Sequence, residues 1–166
     1  MTRPRRLQLE NFLPYRLSVL SNLVSSAISG SYARRFRLTI PEWRVLATLA
    51  IHPDLSAADV AQRTAMDKVA VSRAVSSLLR ARRVERRFAP DDRRRSMLRL
   101  SARGEAVYAE VVPVALAYER ELLAPLGEAE RAALDRALRM LLGRATEIGP
   151  AEPGRPRRIA AAGGDA

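Results

Sequence analysis

Residues 67–101 read DKVAVSRAVSSLLRARRVERRFAPDDRRRSMLRLS. The pattern changes period in the middle of this stretch. Val71, Val75, Leu78 and Leu79 recur at helical spacing, and the opposite face of the same helix carries Lys68, Ser72, Arg73, Ser76 and Arg80. Val84 to Ala89 then predicts a strand, Met97, Leu98 and Leu100 predict a second one ending at Ser101, and Asp91-Asp92-Arg93-Arg94-Arg95 is the charged turn between them.

Upstream, Ser56 and Asp59 have capping-box spacing and open a short helix with Val60 and Ala61 facing inward. A turn at Thr64-Ala65-Met66 leads into the helix that starts near Asp67. A helix–turn–helix followed directly by a two-stranded hairpin predicts a mainly α fold, a winged helix-turn-helix.

Farther out, Thr39, Pro41 and Glu42 form a helix start, and Trp43, Val45, Leu46, Leu49 and Ala50 follow before Pro53 ends the helix. His52 is expected to cap that end or face solvent. Asn11 is expected to cap a first helix, with Pro14 in its first turn and fraying near Gly30. Leu13, Leu17, Leu20, Val24 and Ile28 form one apolar stripe on it, and Phe12, Tyr15, Val19 and Leu23 form another. Two stripes need two partners, the helix's own core and a second subunit. Downstream, Ser101 caps a long helix through Val107, Val111, Leu116 and Leu123, which Pro113 should kink. A last helix over roughly 128–144 carries Leu134, Leu138, Leu141 and Leu142. The expected organisation is a basic arm over 1–9, a domain over 10–147 with the winged helix at about 55–101, and a disordered tail over 148–166.

Composition narrows the function. With 166 residues and 48% apolar content, the chain can bury one core. Lys+Arg number 29 against 18 Asp+Glu, net +11, and Lys68 is the single lysine. Such an excess favours polyanionic partners. The absence of cysteine excludes disulfides and thiolate chemistry, and a single histidine argues against a His/Cys zinc site. No apolar run is long enough to span a bilayer, and no signal-peptide core follows Met1–Arg6. The expectation is a soluble cytoplasmic protein with no membrane partner. No Gly-rich phosphate loop, nucleophile elbow or Cys/His pair is present, so neither an enzyme nor a cofactor or metal requirement is expected.

Residues 80–103 carry ten Arg against Glu85, Asp91 and Asp92, net +7. The charge coincides with the end of the candidate recognition helix and the hairpin tip, where a winged helix meets DNA. Arg73 has the donors to read guanine O6 and N7 in a bidentate pair, while Lys68 and Ser72 near the helix start reach bases or phosphates, with Ser76 on the same face. Hairpin arginines suit the narrow minor groove. Asp92 is expected to brace Arg94 by a charge-assisted bond.

Taken together, the stretch Leu55 to Gly104 resembles the MarR family of winged-helix transcriptional regulators. The resemblance is carried by Ser72-Arg73, Val84-Glu85-Arg86, Asp92-Arg93-Arg94 and Leu98-Arg99-Leu100-Ser101-Ala102-Arg103-Gly104, and the helix order extends it to about 10–147. It implies a homodimer whose N- and C-terminal helices form the dimerisation region, gripping a pseudo-palindromic double-stranded operator. Arg73 would then contact the major groove, and Arg94, flanked by Arg93 and Arg95, would enter the minor groove. The family often has Gly and then an apolar residue where this chain has Arg82 and Arg83. Arginine in a left-handed cap position costs about 1 kcal/mol relative to glycine.

The resemblance also implies a small-molecule effector, a phenolic or aromatic acid or its CoA thioester, held between the first two helices and the winged domain by Tyr15, Arg16, Asn22, Trp43 and Arg44. The leading expectation is a ligand-responsive repressor. The alternative is a constitutive architectural DNA-binding protein without an effector.

Overall fold

The computed structural model describes residues 7–89 and 92–149, with the backbone alone at residue 89 and at residues 92–95. Six helices and a hairpin follow one another: α1 Leu13–Phe36, α2 Ile40–Ile51, α3 Ala57–Thr64, α4 Lys68–Arg80, β1 Val84–Ala89, β2 Asp92–Leu100, α5 Ala102–Leu123 and α6 Glu128–Ile148. The chain divides into two units, one ending at Glu121 and the other beginning at Leu122.

Local chemistry fixes the starts of the central helices. At α2 the Thr39 Oγ1 accepts from the Glu42 amide at 3.4 Å, and Glu42 Oε2 accepts from the Thr39 amide at 2.7 Å. Ser56 and Asp59 repeat the arrangement at α3, at 3.1 and 3.0 Å. Both boxes satisfy amides that no helical carbonyl can reach. His52 is the C-terminal cap of α2.

The core of the first unit gathers one face of each element: Val45, Leu46 and Leu49 of α2, Val60 of α3, Val71, Val75 and Leu78 of α4, Val84 and Leu98 of the hairpin, and Val107 and Val111 of α5. Each fully buried aliphatic side chain contributes about 1.5–3 kcal/mol.

The strands are antiparallel, with Val84 opposite Leu100 and Arg86 opposite Leu98, and the register breaks between Phe88 and Ala89. Strand β2 begins at Asp92, so residues 92–95, expected in the turn, fall within its range; of these Asp92 pairs with Ala89, across the break in register. A single bridge joins Leu55 to Leu98, with amide-to-carbonyl bonds of 3.2 and 2.8 Å in the two directions.

Helix α1 differs from expectation at both ends. Asn11 lies in a 3-10 turn over Leu9–Asn11 and bonds Gln8, while the cap position falls to Phe12, which offers no capping side chain. The helix also runs through Gly30 to Phe36 and ends at Arg37 in the left-handed region, φ 51°. An interior glycine costs only about 0.5–1 kcal/mol. Burial of Tyr32, 1% exposed, one half-turn later outweighs it. The N-terminal part of α1 packs little: Leu13, Leu17, Leu20 and Leu23 are all exposed.

In the second unit, α6 begins where Glu130 Oε2 accepts from the Gly127 amide at 2.7 Å, and the Arg131 guanidinium donates to the carbonyls of Leu123 and Leu126. The helix continues to Ile148, one turn past the expected end. Leu134, Leu138 and Leu141 form an exposed apolar stripe along it.

Candidate nucleic-acid interface

Helix α4 is built to show one face. Its cap is Asp67, whose Oδ1 accepts from the amides of Val69 at 2.9 Å and Ala70 at 3.1 Å. Val71, Ala74, Val75 and Leu78 are buried. Burial of that stripe leaves Lys68, Ser72, Arg73, Ser76 and Arg80 exposed together on the other side. The turn before α4 places Ala65 at φ 51° and is closed by the Met66 amide donating to the Ala61 carbonyl at 3.2 Å.

The turn after α4 is the best-braced part of this surface. Arg82 occupies the left-handed region at φ 54°, as anticipated where glycine is commoner. Ser101 holds this turn from the other side of the hairpin: its Oγ donates to the Arg82 carbonyl at 2.7 Å and its amide to the Arg83 carbonyl at 3.0 Å. The same Oγ accepts from the Gly104 amide at 3.1 Å, opening α5. The Arg83 guanidinium donates to the Phe36 carbonyl at the end of α1. In place of an apolar residue, the chain thus uses an arginine whose charge is spent on a helix C-terminus.

Glu42 sits close by, 6% exposed. Burial alone would raise its carboxyl, but hydrogen bonds from Ser77 and Thr39 and the positive charge of Arg83 hold it below the usual carboxylate value. Burial lowers the Arg83 pKa, nearby Arg103 lowers it further, and Glu42 acts in the opposite sense. Glu42, Ser77 and Arg73 also line a hollow of about 390 Å³ between the start of α2 and the recognition helix.

On the hairpin, Glu85, Arg86, Arg87 and Phe88 are exposed, and Arg99 pairs with Glu85 across the strands at 3.6 Å. The side chains of Asp92, Arg93, Arg94 and Arg95 lie outside the described residues, and so does the expected bond between Asp92 and Arg94. Their backbone lies within β2.

The expected effector residues separate into two groups. Trp43 and Arg44 line a small cavity of about 100 Å³ with Ser25, Ile28, Tyr32 and Ile40. Arg44 Nη2 donates to Ser25 Oγ at 3.0 Å, and the Trp43 ring lies between Tyr32 and Tyr108, with centroids at 5.5 and 5.9 Å. Tyr15, Arg16 and Asn22 are exposed on α1 and do not line this cavity. Sequence reasoning missed Ser25, Ile28, Tyr32 and Tyr108; the spacing from Ile28 to Tyr32 was the available signal for one of them. No three His, Cys, Asp or Glu side chains among the described residues are grouped to hold a metal. None of the described helices is long and apolar enough to cross a membrane.

An exposed recognition helix and a paired arginine-rich wing, both braced on a helical core, define a winged-helix DNA-binding protein. Residues 38–95 match the model of the MarR family. Among solved structures, a MarR/EmrR family transcriptional regulator from Acinetobacter sp. ADP1 is similar over 85% of this chain and 99% of its own, with a TM-score of 0.78 and 25% identity. The PcaV regulator of Streptomyces coelicolor, solved with its natural ligand, shares 25% identity and a TM-score of 0.68 over 84% of this chain and 97% of its own. BpsR of Bordetella bronchiseptica, whose DNA binding is regulated by 6-hydroxynicotinic acid, is similar in fold at 23% identity and a TM-score of 0.71, over 82% of this chain and 97% of its own. No curated protein sequence matches. Residues 38–95 are thus similar in sequence to the MarR family, and the fold is similar to that of solved MarR-family winged-helix regulators.

Proposed function

We propose that this chain is a homodimeric transcriptional repressor that binds a pseudo-palindromic operator and is released from it by a small aromatic acid. The carrying observation is the exposed stripe Lys68, Ser72, Arg73 and Ser76 on a helix whose other face is buried. A helix of this kind fits the major groove, where Arg73 reads guanine and Lys68, Ser72 and Ser76 contact neighbouring bases or phosphates. Arg93, Arg94 and Arg95 extend from the wing to the minor groove, with Asp92 as the brace. The winged helix, about 55–101, is the reading head of a domain over 10–147, flanked by an arm and a tail.

Dimerisation is supported by the exposed leucines of α1 and of α6, apolar surface that a second copy of the chain would cover. The effector reading rests on Trp43 and Arg44, an aromatic face and a guanidinium beside one cavity; Tyr15, Arg16 and Asn22, exposed on α1 outside that cavity, are the effector contacts that the family resemblance adds. Two relatives of this fold that are solved or regulated with small ligands support it.

Selection of bound sites from a random DNA pool tests the reading. A two-fold-symmetric consensus with half-sites about one helical turn apart is the expected result. Equal affinity for all sequences would favour an architectural protein without an effector.

A further inference from the structure

Val69 is the one large apolar side chain that α4 leaves exposed, at 56%. It stands in the first turn, and its own amide is tied to the Asp67 cap at 2.9 Å, so its position is fixed relative to the helix start. Three, four and seven residues on come Ser72, Arg73 and Ser76, which puts Val69 on the same stripe. Valine is a weaker helix former than alanine, so local propensity does not explain it there. No interior contact does either, since the stripe faces away from the core. A β-branched side chain holds essentially one rotamer in a helix and loses little freedom on contact.

The edges of the major groove are almost wholly polar. The exception is the C5-methyl group of thymine. We infer that Val69 is a specificity-determining residue that packs on a thymine methyl beside the base read by Arg73, an inference that rests on the DNA-binding reading above. Four residues of helix advance about 6 Å. Base pairs advance about 3.4 Å along a strand. The thymine therefore lies within two base pairs of the guanine under Arg73, toward the helix N-terminus.

The test uses the full chain and a duplex recovered by selection, with each thymine replaced in turn by deoxyuridine. That exchange removes one methyl group and leaves every hydrogen-bonding edge unchanged. At one thymine per half-site, deoxyuridine should weaken binding about 4-fold, equivalent to the ~0.8 kcal/mol of one buried methyl group. Val69→Ala should bind the thymine and deoxyuridine forms alike at that position and melt at or above the parent's temperature, because the site is exposed and alanine favours helix. A flat deoxyuridine scan overturns the inference, as does a Val69→Ala variant that stays as sensitive as the parent. Either result leaves Arg73 untouched, because its guanine preference is measured at a different base by Arg73→Ala. Failure to select any sequence overturns both.

Discussion

The carbonyl oxygen of Arg83 occupies the space where a side chain on Gly104 would begin: a Cβ there would lie 2.0 Å from that oxygen. The start of α5 is thus pressed against the turn that ends the recognition helix, and only glycine permits the approach. The obstacle is backbone, which cannot rotate aside. Gly104→Ala is expected to lower stability by about 1–3 kcal/mol, as overpacking does. At Gly30, in the interior of α1, nothing lies within 4 Å of the corresponding position. Gly30→Ala should stabilise by about 0.5–1 kcal/mol. Urea unfolding of the two variants checks both signs.

Acid stability should report Glu42. Its folded pKa is depressed, so its contribution is fully present above the unfolded value of about 4.3 and is lost as pH falls through the lower folded value. Glu42→Gln removes that dependence. The parent should lose more stability than the variant between pH 6 and the acid limb, roughly pH 3. Parallel curves would show that the bonds from Ser77 and Thr39 do not favour the charged form.

These two sites illustrate what the sequence made readable. The boxes at Thr39–Glu42 and Ser56–Asp59, the boundary at Val84 and the polar face of α4 follow from signals within a few residues of one another. Arg82 in the left-handed region was anticipated only through the family resemblance, which often has glycine at that place. The Arg83 bond to the Phe36 carbonyl spans 47 positions, and no local pattern announces it. The bridge between Leu55 and Leu98 is one residue long and has no period to detect. Helix α1 continued past Gly30 because a tertiary contact, the burial of Tyr32, decided what propensity left open. The same holds around Trp43, whose partner Tyr108 arrives from α5.

Base reading and phosphate binding predict different mutant behaviour. Arg73→Ala should cost about 1–3 kcal/mol on the selected operator and relax preference at one position per half-site. Arg94→Ala should weaken binding to all sequences and reduce the slope of log affinity against log salt by about one for each phosphate that is no longer neutralised. Fluorescence anisotropy at several salt concentrations measures both. Uniform weakening by Arg73→Ala would remove its base-reading role.

Trp43 is the only tryptophan, so intrinsic emission reports its cavity alone. An aromatic carboxylic acid entering beside Trp43 should change that emission and, over the same concentration range, release duplex. Arg44→Gln should weaken the effect by about 1.5–3 kcal/mol, the contribution of a hydrogen bond to a charged group. Emission that responds equally in parent and variant would place the acid elsewhere.

Lysine scarcity has a practical corollary. The one ε-amine of the chain, Lys68, projects from the exposed start of α4. Acylating reagents that scatter over most proteins meet a single such nucleophile here, and a duplex lying across that helix would shield it. Mass spectrometry of a briefly acetylated sample therefore becomes a footprint of occupancy with one peptide to follow.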